Sequence, residues 1–134
     1  MHVYRNGILI GRSTVSTGSQ GHATPGGVFS ILEKKQEHYS KTYDNAPMPN
    51  MQRLTWTGIA MHSGNLPGYP ASHGCIRMPF DFSQLLFSVT GKGGTVVVGD
   101  GKVPVPYLAS NPGLLLAPKD FTPEMLRPLA NNSY

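Results

Sequence analysis

The sequence predicts a mainly β fold with one short helix and a proline-rich C-terminal tail. Glycine (16) and proline (12) are frequent among the 134 residues, which favours turns and short strands over long helices. Short runs of β-branched and aromatic residues recur between these turns. The clearest apolar spacing of an amphipathic helix follows Pro79.

The first predicted elements are the two strands of a hairpin. Residues 2–4 and 8–10 flank Asn6-Gly7, a dipeptide typical of a type I′ turn because both of its positions take positive φ. Residues 14–17 are predicted to continue as a β segment. Further strands are expected at residues 28–32, 54–56, 59–62 and 95–98, the last of them buried.

The helix is predicted from four apolar residues spaced i, i+3, i+4 and i+7. These residues are Phe82, Leu85, Leu86 and Val89. Pro79 fits the first turn of this helix, and Gly91 ends it. Two polar segments, residues 33–50 and 63–74, are predicted as long loops. Loops of this length in a compact domain are often functional, so residues 33–50 are a candidate lid.

The length predicts one domain, which we place at residues 1–101. Residues 102–134 contain six prolines and form the expected C-terminal extension. We expect this extension to pack on the domain through residues 114–116, which are leucines, with a short helix possible at residues 122–126.

The composition excludes several classes of protein. No apolar run approaches the ~20 residues that span a bilayer. A single cysteine excludes an internal disulfide. The net charge is +4, but the basic residues are scattered, so nucleic-acid binding has weak support, whereas an anionic envelope polymer fits the charge equally well. No signal peptide precedes the first strand, so the protein is expected to be cytoplasmic or to have been separated from its export signal.

The residues that can carry chemistry lie between positions 61 and 78. Cys75 is the only cysteine, His62 lies thirteen residues before it, and His73 lies two residues before it. A cysteine nucleophile needs a nearby base to remove its proton. The intervening loop is long enough to fold back, which favours His62 as that base. Gly74 adds no side-chain bulk, so the N–H groups of Gly74 and Cys75 can converge on a carbonyl oxygen.

Two other interpretations of Cys75 stay open at this point. A lone cysteine is more often a small buried hydrophobic residue, although the polar and flexible residues 72–74 do not resemble a core. A zinc site could use Cys75, His73 and His62, but it lacks a paired cysteine or a His-x-x-x-His spacing.

The residues around Cys75 resemble the signature of the L,D-transpeptidase catalytic domain, the YkuD-like family. That signature is a histidine followed, one to two dozen residues later, by Ser/Thr-His-Gly-Cys, an aliphatic residue and Arg or Asn. Here His62 is followed by Ser-His-Gly-Cys-Ile-Arg at residues 72–77. Other family-like segments stand in order at residues 15–18, 24–31, 53–55, 58–62 and 94–98, so the resemblance covers residues 3–99. Family members usually have one more strand before the point where this chain begins. In this chain that strand would be missing or rebuilt.

The resemblance implies a β-sandwich with the cysteine loop over a cleft, and acyl transfer on peptidoglycan stem peptides. Cys75 would attack the carbonyl of the third stem residue, expel the terminal D-Ala and form a thioester, without a metal or a cofactor. The amine of a second stem would then attack to give a 3→3 cross-link. With water as acceptor the enzyme would be an L,D-carboxypeptidase. A non-catalytic envelope-binding module with the same fold is a third possibility.

The resemblance also implies roles for individual residues. His62 would be the general base, and Ser63 would orient its imidazole through the backbone carbonyl. The oxyanion and substrate side would be lined by Ser72, His73 and Gly74. Arg77 could hold a substrate carboxylate or, equally, bind loop carbonyls. Tyr69 could stack over the stem peptide or pack within its loop. A periplasmic or envelope location and a carbapenem adduct on Cys75 are expected.

Overall fold

A computed structural model describes residues 1–41 and 45–99. This part of the chain contains strands and one short helix after the cysteine loop, which confirms the mainly β fold. The elements are β1 (His2–Arg5), β2 (Ile8–Arg12), β3 (Gly27–Ser30), β4 (Glu33–Lys35), β5 (Met51–Arg53), β6 (Ala60–Ser63), β7 (Ile76–Met78), α1 (Phe80–Val89) and β8 (Thr95–Val98). The predictions for residues 102–134 lie outside the described residues.

The described residues belong to two compact units. One includes residues 1–12, 26–28 and 97–99, and the other includes residues 13–25 and 29–96. Every candidate site residue belongs to the second unit.

The N-terminal hairpin forms as the sequence predicts. Strands β1 and β2 are antiparallel, with Arg5 opposite Ile8 across a two-residue turn. Asn6 (φ 51°) and Gly7 (φ 78°) both have positive φ, as a type I′ turn requires. Asparagine and glycine adopt this conformation at low cost, so the turn is dictated locally.

The second unit contains a four-stranded sheet in the order β4-β5-β6-β7. Strands β4, β5 and β6 pair antiparallel, whereas β6 and β7 pair parallel. The parallel register places Met61 opposite Ile76 and His62 opposite Arg77. The strands are held by a buried core of methionine and aliphatic side chains: Ile31, Met48, Met51, Leu54, Ala60, Met61, Ile76, Met78 and Leu86.

Several predicted boundaries are wrong. The predicted loop 33–50 begins with β4, and its last residues, Met48 and Asn50, are buried. Strand β5 lies at Met51–Arg53, and the segment 54–56 predicted as a strand instead enters a turn. The sequence did not predict β5, because the buried Gln52 places a polar residue at a core position where the strand pattern expects an apolar one. Strand β7 was not predicted at all.

The segment 14–17, predicted as a β segment, forms only an isolated bridge between Ser16 and Arg77. Strand β8 is present as predicted, although it is exposed at Thr95 and half-buried rather than buried along the rest of its length.

The helix is present, but its buried face differs from the predicted stripe. Leu85 is 66% exposed and Val89 is 40% exposed, whereas Ser83 and Leu86 are buried. Ser83 occupies a core-facing position because its hydroxyl donates to Phe80 O and accepts a hydrogen bond from Asn50 Nδ2 at 3.0 Å. Pro79 is the residue before the helix rather than part of its first turn.

The C-terminal end of α1 is held by Lys34. Its Nζ donates to Phe87 O at 2.6 Å and to Thr90 O at 2.7 Å, and it lies 4.0 Å from the centre of the Phe87 ring. A cation at this end also interacts favourably with the helix dipole. Within residues 1–41 and 45–99, no helix has the length and apolar character needed to cross a membrane.

Candidate active site

His62 lies on the buried central strand β6 and is only 8% exposed. Its Nδ1 lies 2.7 Å from the backbone oxygen of Ser63. Because a carbonyl oxygen can only accept, Nδ1 carries the hydrogen, and Nε2 keeps a lone pair with which to accept a proton. Burial lowers the pKa of His62, and the positive charge of Arg77 acts in the same direction. The imidazole is therefore neutral near pH 7 and fit to be a base.

Cys75 comes directly before β7, so the parallel register brings it level with Ala60, two residues before His62. It packs against a buried cluster of Met48, Met51 and Ala60. Alternate residues of a strand share a face, so Cys75 and Arg77 project on the side where His62 lies. A strand spacing of about 4.8 Å and a rise of about 3.3 Å per residue place the Cβ atoms of Cys75 and His62 about 8 Å apart.

The thiol of Cys75 is half-buried, and it donates to the backbone oxygen of Gly58 at 3.4 Å. Burial raises the pKa of Cys75. A backbone hydrogen bond from Ala60 and the charges of Arg77 and Arg53 oppose that rise in pKa, with smaller effect. The directions of the two pKa shifts both favour a protonated thiol and a neutral imidazole over an ion pair.

The loop that carries Cys75 is bound along its length by residues 16–24, which we call the clamp segment. Arg77 N donates to Ser16 O at 2.8 Å, and Ser16 N donates to Arg77 O at 3.0 Å. Further along, the N–H groups of residues 71 and 72 both donate to Thr17 O at 3.0 Å. The Ser16 hydroxyl donates to Tyr69 O at 2.8 Å. These bonds join residues more than fifty positions apart in the chain.

Thr24 connects the clamp segment to the residue before Cys75. Its hydroxyl accepts from Gly18 N at 2.9 Å and donates to Gly74 O at 2.8 Å. One hydroxyl thereby fixes the Gly74 carbonyl and the peptide that joins Gly74 to Cys75. The family-like segment at residues 24–31 was visible in the sequence, but nothing there indicated that its threonine reaches residue 74.

Ser72 and Gly74 shape the turn in front of Cys75. The Ser72 hydroxyl accepts from Gly74 N at 3.1 Å and donates to Cys75 O at 2.5 Å, and Ser72 is 2% exposed. Gly74 has φ +120°, and a Cβ there would lie 2.8 Å from Ile59 Cδ1. This backbone conformation favours glycine, whereas the contact is with the far end of a flexible side chain that can shift.

The remaining predicted site residues lie around this core. His73 is exposed, and its ring contacts that of His22 edge to face with centroids 4.8 Å apart. Arg77 Nη1 donates to Asn65 O at 3.3 Å, a bond to a loop carbonyl. Tyr69 is 65% exposed.

Two features of the site were not visible to sequence reasoning. The first is the Thr24 hydroxyl, and the second is Gly58, which accepts from the thiol. The residues described by the structure contain no cluster of three or more His, Cys, Asp or Glu able to hold a metal ion.

Comparison with known proteins assigns the family. The family model of the L,D-transpeptidase catalytic domain, YkuD, matches residues 1–98, so the chain belongs to this family. An L,D-transpeptidase from Stackebrandtia nassauensis is 31% identical with a TM-score of 0.59, over 63% of this chain and 42% of that one. The Enterococcus faecium L,D-transpeptidase is 25% identical with a TM-score of 0.63, over 72% and 44%.

An L,D-transpeptidase solved in complex with imipenem shares the fold at 24% identity and a TM-score of 0.67, covering 73% of this chain and 53% of that one. The present chain thus spans about half the length of these solved proteins or less. No curated protein matches it.

Proposed function

We propose that this domain is a peptidoglycan L,D-transpeptidase that uses Cys75 as its nucleophile and His62 as its general base. The observation that carries the proposal is the parallel pairing of β6 and β7. It sets both side chains on one face of adjacent strands, with Nδ1 of His62 tied to Ser63 O. Membership of the L,D-transpeptidase family supplies the reaction class.

Acylation begins with the proton of the thiol. The S–H bond turns from Gly58 O towards Nε2 of His62, which accepts the proton as sulfur attacks the carbonyl carbon of the third stem residue. The bond from sulfur to carbon forms, and the bond from that carbon to the nitrogen of D-Ala breaks. His62 then returns its proton to the departing amine. The product is a thioester on Cys75 and free D-Ala.

The second half of the reaction repeats these roles. His62 takes a proton from the amine of an acceptor stem, which attacks the thioester carbonyl. The bond from carbon to sulfur breaks, and the thiol regains its proton. The new amide is the 3→3 cross-link. If water replaces the amine, the product is a tripeptide stem, and the enzyme is a carboxypeptidase.

The directions of the pKa shifts of Cys75 and His62 indicate how the thiol would be activated. A raised pKa at Cys75 and a lowered pKa at His62 both favour the neutral pair before substrate binds. Proton transfer therefore accompanies attack, as in a serine hydrolase, instead of preceding it. Charge then appears only when the carbonyl carbon is in place to receive the sulfur.

Residues 72–74 contribute the oxyanion side of the proposed site. The Gly74 N–H already donates to the Ser72 hydroxyl, so we place the developing oxyanion beside the N–H of Cys75. Ser72 holds that turn, and His73 stands exposed at its edge. Tyr69, in the loop that precedes Cys75, and Arg77, on β7, are proposed to contact the stem peptide.

The domain is proposed to act in the cell envelope, where its polymer substrate lies. A solved relative holds imipenem, a carbapenem. We therefore expect imipenem to acylate Cys75 in this protein. The charge of +4 is compatible with the anionic wall polymer.

Two measurements test the proposal. Intact mass after incubation with imipenem should show one adduct per chain, absent from Cys75→Ala. A disaccharide-tetrapeptide should release D-Ala with the parent protein but not with either Cys75→Ala or Cys75→Ser, since an alkoxide is much harder to form than a thiolate. A dimeric product identifies the transpeptidase and a tripeptide identifies the carboxypeptidase. The lack of both adduct and D-Ala would leave a non-catalytic wall-binding module.

A further inference from the structure

The turn between β5 and β6 presents an exposed tryptophan close to the nucleophile. Trp56 is 71% exposed, although tryptophan is usually well buried in folded domains. The same turn contains Gly58, whose oxygen accepts from the Cys75 thiol at 3.4 Å. Trp56 thus lies two residues before Gly58, whose backbone oxygen contacts the sulfur of Cys75.

This turn is held firmly by hydrogen bonds. Leu54 N donates to Ile59 O at 2.8 Å, and Thr55 N donates to the same oxygen at 3.1 Å. Ile59 N donates to the Thr55 hydroxyl at 3.0 Å, and that hydroxyl lies 2.9 Å from the hydroxyl of Thr57. A tryptophan on such a framework loses little backbone entropy when it binds a ligand.

A cation lies over the indole. The guanidinium carbon of Arg53 lies over the Trp56 ring, 5.6 Å from its centre, and Arg53 Nε donates to Glu33 Oε1 at 3.2 Å. Thr57, the next residue along the chain, is also exposed. Arg53 thus lies over one face of a tryptophan that is otherwise largely open to solvent.

We propose that Trp56 is a stacking platform for a pyranose ring of the glycan that carries the donor stem peptide. This inference rests on the proposed function. A pyranose has an apolar face of C–H groups and a rim of hydroxyls, so it matches an exposed aromatic ring with a guanidinium close by. An apolar peptide side chain would instead need an enclosing pocket.

The reach of the substrate agrees with this placement. Two stem residues and a short linker separate the attacked carbonyl from the sugar, a span of about 10 Å for an extended chain. The Cα of Trp56 lies at most about 7 Å from that of Gly58, whose oxygen contacts the sulfur. A donor acylating Cys75 can therefore place its sugar over the indole.

The test compares a bare tetrapeptide with the disaccharide-tetrapeptide as donors of D-Ala. Trp56→Ala should lower kcat/KM for the disaccharide form by about 5- to 20-fold, mainly through KM, and leave the bare peptide unchanged. Trp56→Phe should retain most of the preference. Leu85→Ala is the matched control, because it removes an equally exposed apolar side chain from α1. Equal losses on both donors, or no loss on either, would overturn the sugar platform.

Trp56 is the only tryptophan in the chain, so its fluorescence reports binding without any turnover. In the Cys75→Ala variant, the disaccharide-tetrapeptide should shift the emission and the bare tetrapeptide should not. Equal emission changes with both ligands would contradict stacking on the sugar. If the parent protein releases no D-Ala while the disaccharide form alone still shifts the emission, the sugar platform is retained and the proposed activity is rejected, so the two failures are distinguishable.

Discussion

The two side chains that we propose to react are positioned in different ways. His62 lies within β6, between β5 and β7, and its Nδ1 bonds the oxygen of the next residue. Cys75 lies outside the regular ladder, at the end of a loop rich in glycine and proline. Its loop depends on the clamp segment, through bonds between residues fifty or more positions apart.

His62 is thus held in place by its own strand, whereas Cys75 is held in place by a segment distant in the chain. A buried strand opens only with the core, whereas a loop held by side-chain hydroxyls can shift when one hydroxyl is lost. A displacement of about 1 Å at a reacting atom can cost about 100-fold in rate. The clamp segment should therefore control catalysis more than it controls stability.

The largest effect should come from the base on β6. His62→Gln should slow acylation by imipenem by about 10²- to 10⁴-fold, because no other group at that position accepts the thiol proton. His73→Gln should lose less, since the exposed His73 ring packs against His22. Stopped-flow acylation rates for the two variants make the comparison. Equal or reversed losses would exchange the roles of the two histidines.

The next effect tests Thr24 as a positioning residue. Thr24→Val should slow acylation by about 10- to 100-fold, because it removes the donor to Gly74 O and the acceptor for Gly18 N. Thr24→Ser keeps the hydroxyl and should restore most of the rate. The loss should appear in kcat rather than in KM. A purely structural role would lower Tm in both variants and leave the acylation rate of the folded fraction intact.

The pH dependence of the acylation rate tests whether the Cys75 thiol and the His62 imidazole are both neutral before the reaction. Because burial lowers the pKa of His62, the free imidazole persists below the ordinary histidine pKa of about 6.5. The acid limb of the acylation rate should therefore fall below about pH 6.5. The raised pKa of Cys75 should keep the thiol protonated at neutral pH. Rates of imipenem acylation from pH 5 to pH 9 give the profile, and an acid limb centred above 6.5 would contradict a neutral base.

The smallest effect on activity is expected at Lys34, remote from both reacting groups. Lys34→Met removes charged donors from Phe87 O and Thr90 O but keeps the aliphatic stem, and it should cost about 1–3 kcal/mol of unfolding free energy. Urea denaturation measures this loss. The acylation rate should stay within about twofold of the parent when the protein is folded. A slower rate would show that general destabilisation, rather than local position, explains Thr24→Val.

Local residue preferences were enough to predict some secondary-structure elements correctly but not others. The Asn6-Gly7 turn was predicted because two residues determine its φ angles. The helix was located but its buried face was not, because the Ser83 hydroxyl is satisfied by Asn50 from another segment. Strand β5 was misplaced because it contains the buried polar residue Gln52, whose amide oxygen accepts a hydrogen bond from the Thr90 hydroxyl at 2.7 Å.

The sequence by itself determined the family signature, the identity of the lone thiol and the mainly β class. These follow from residue types at short spacing and from local turn and strand preferences. Only the tertiary structure decided that β6 and β7 run parallel with His62 opposite Arg77. It also decided that the Thr24 hydroxyl donates to Gly74 O and that Trp56 is exposed to solvent. Register and long-range hydrogen bonds depend on segments that meet only after folding, so spacing along the chain does not encode them.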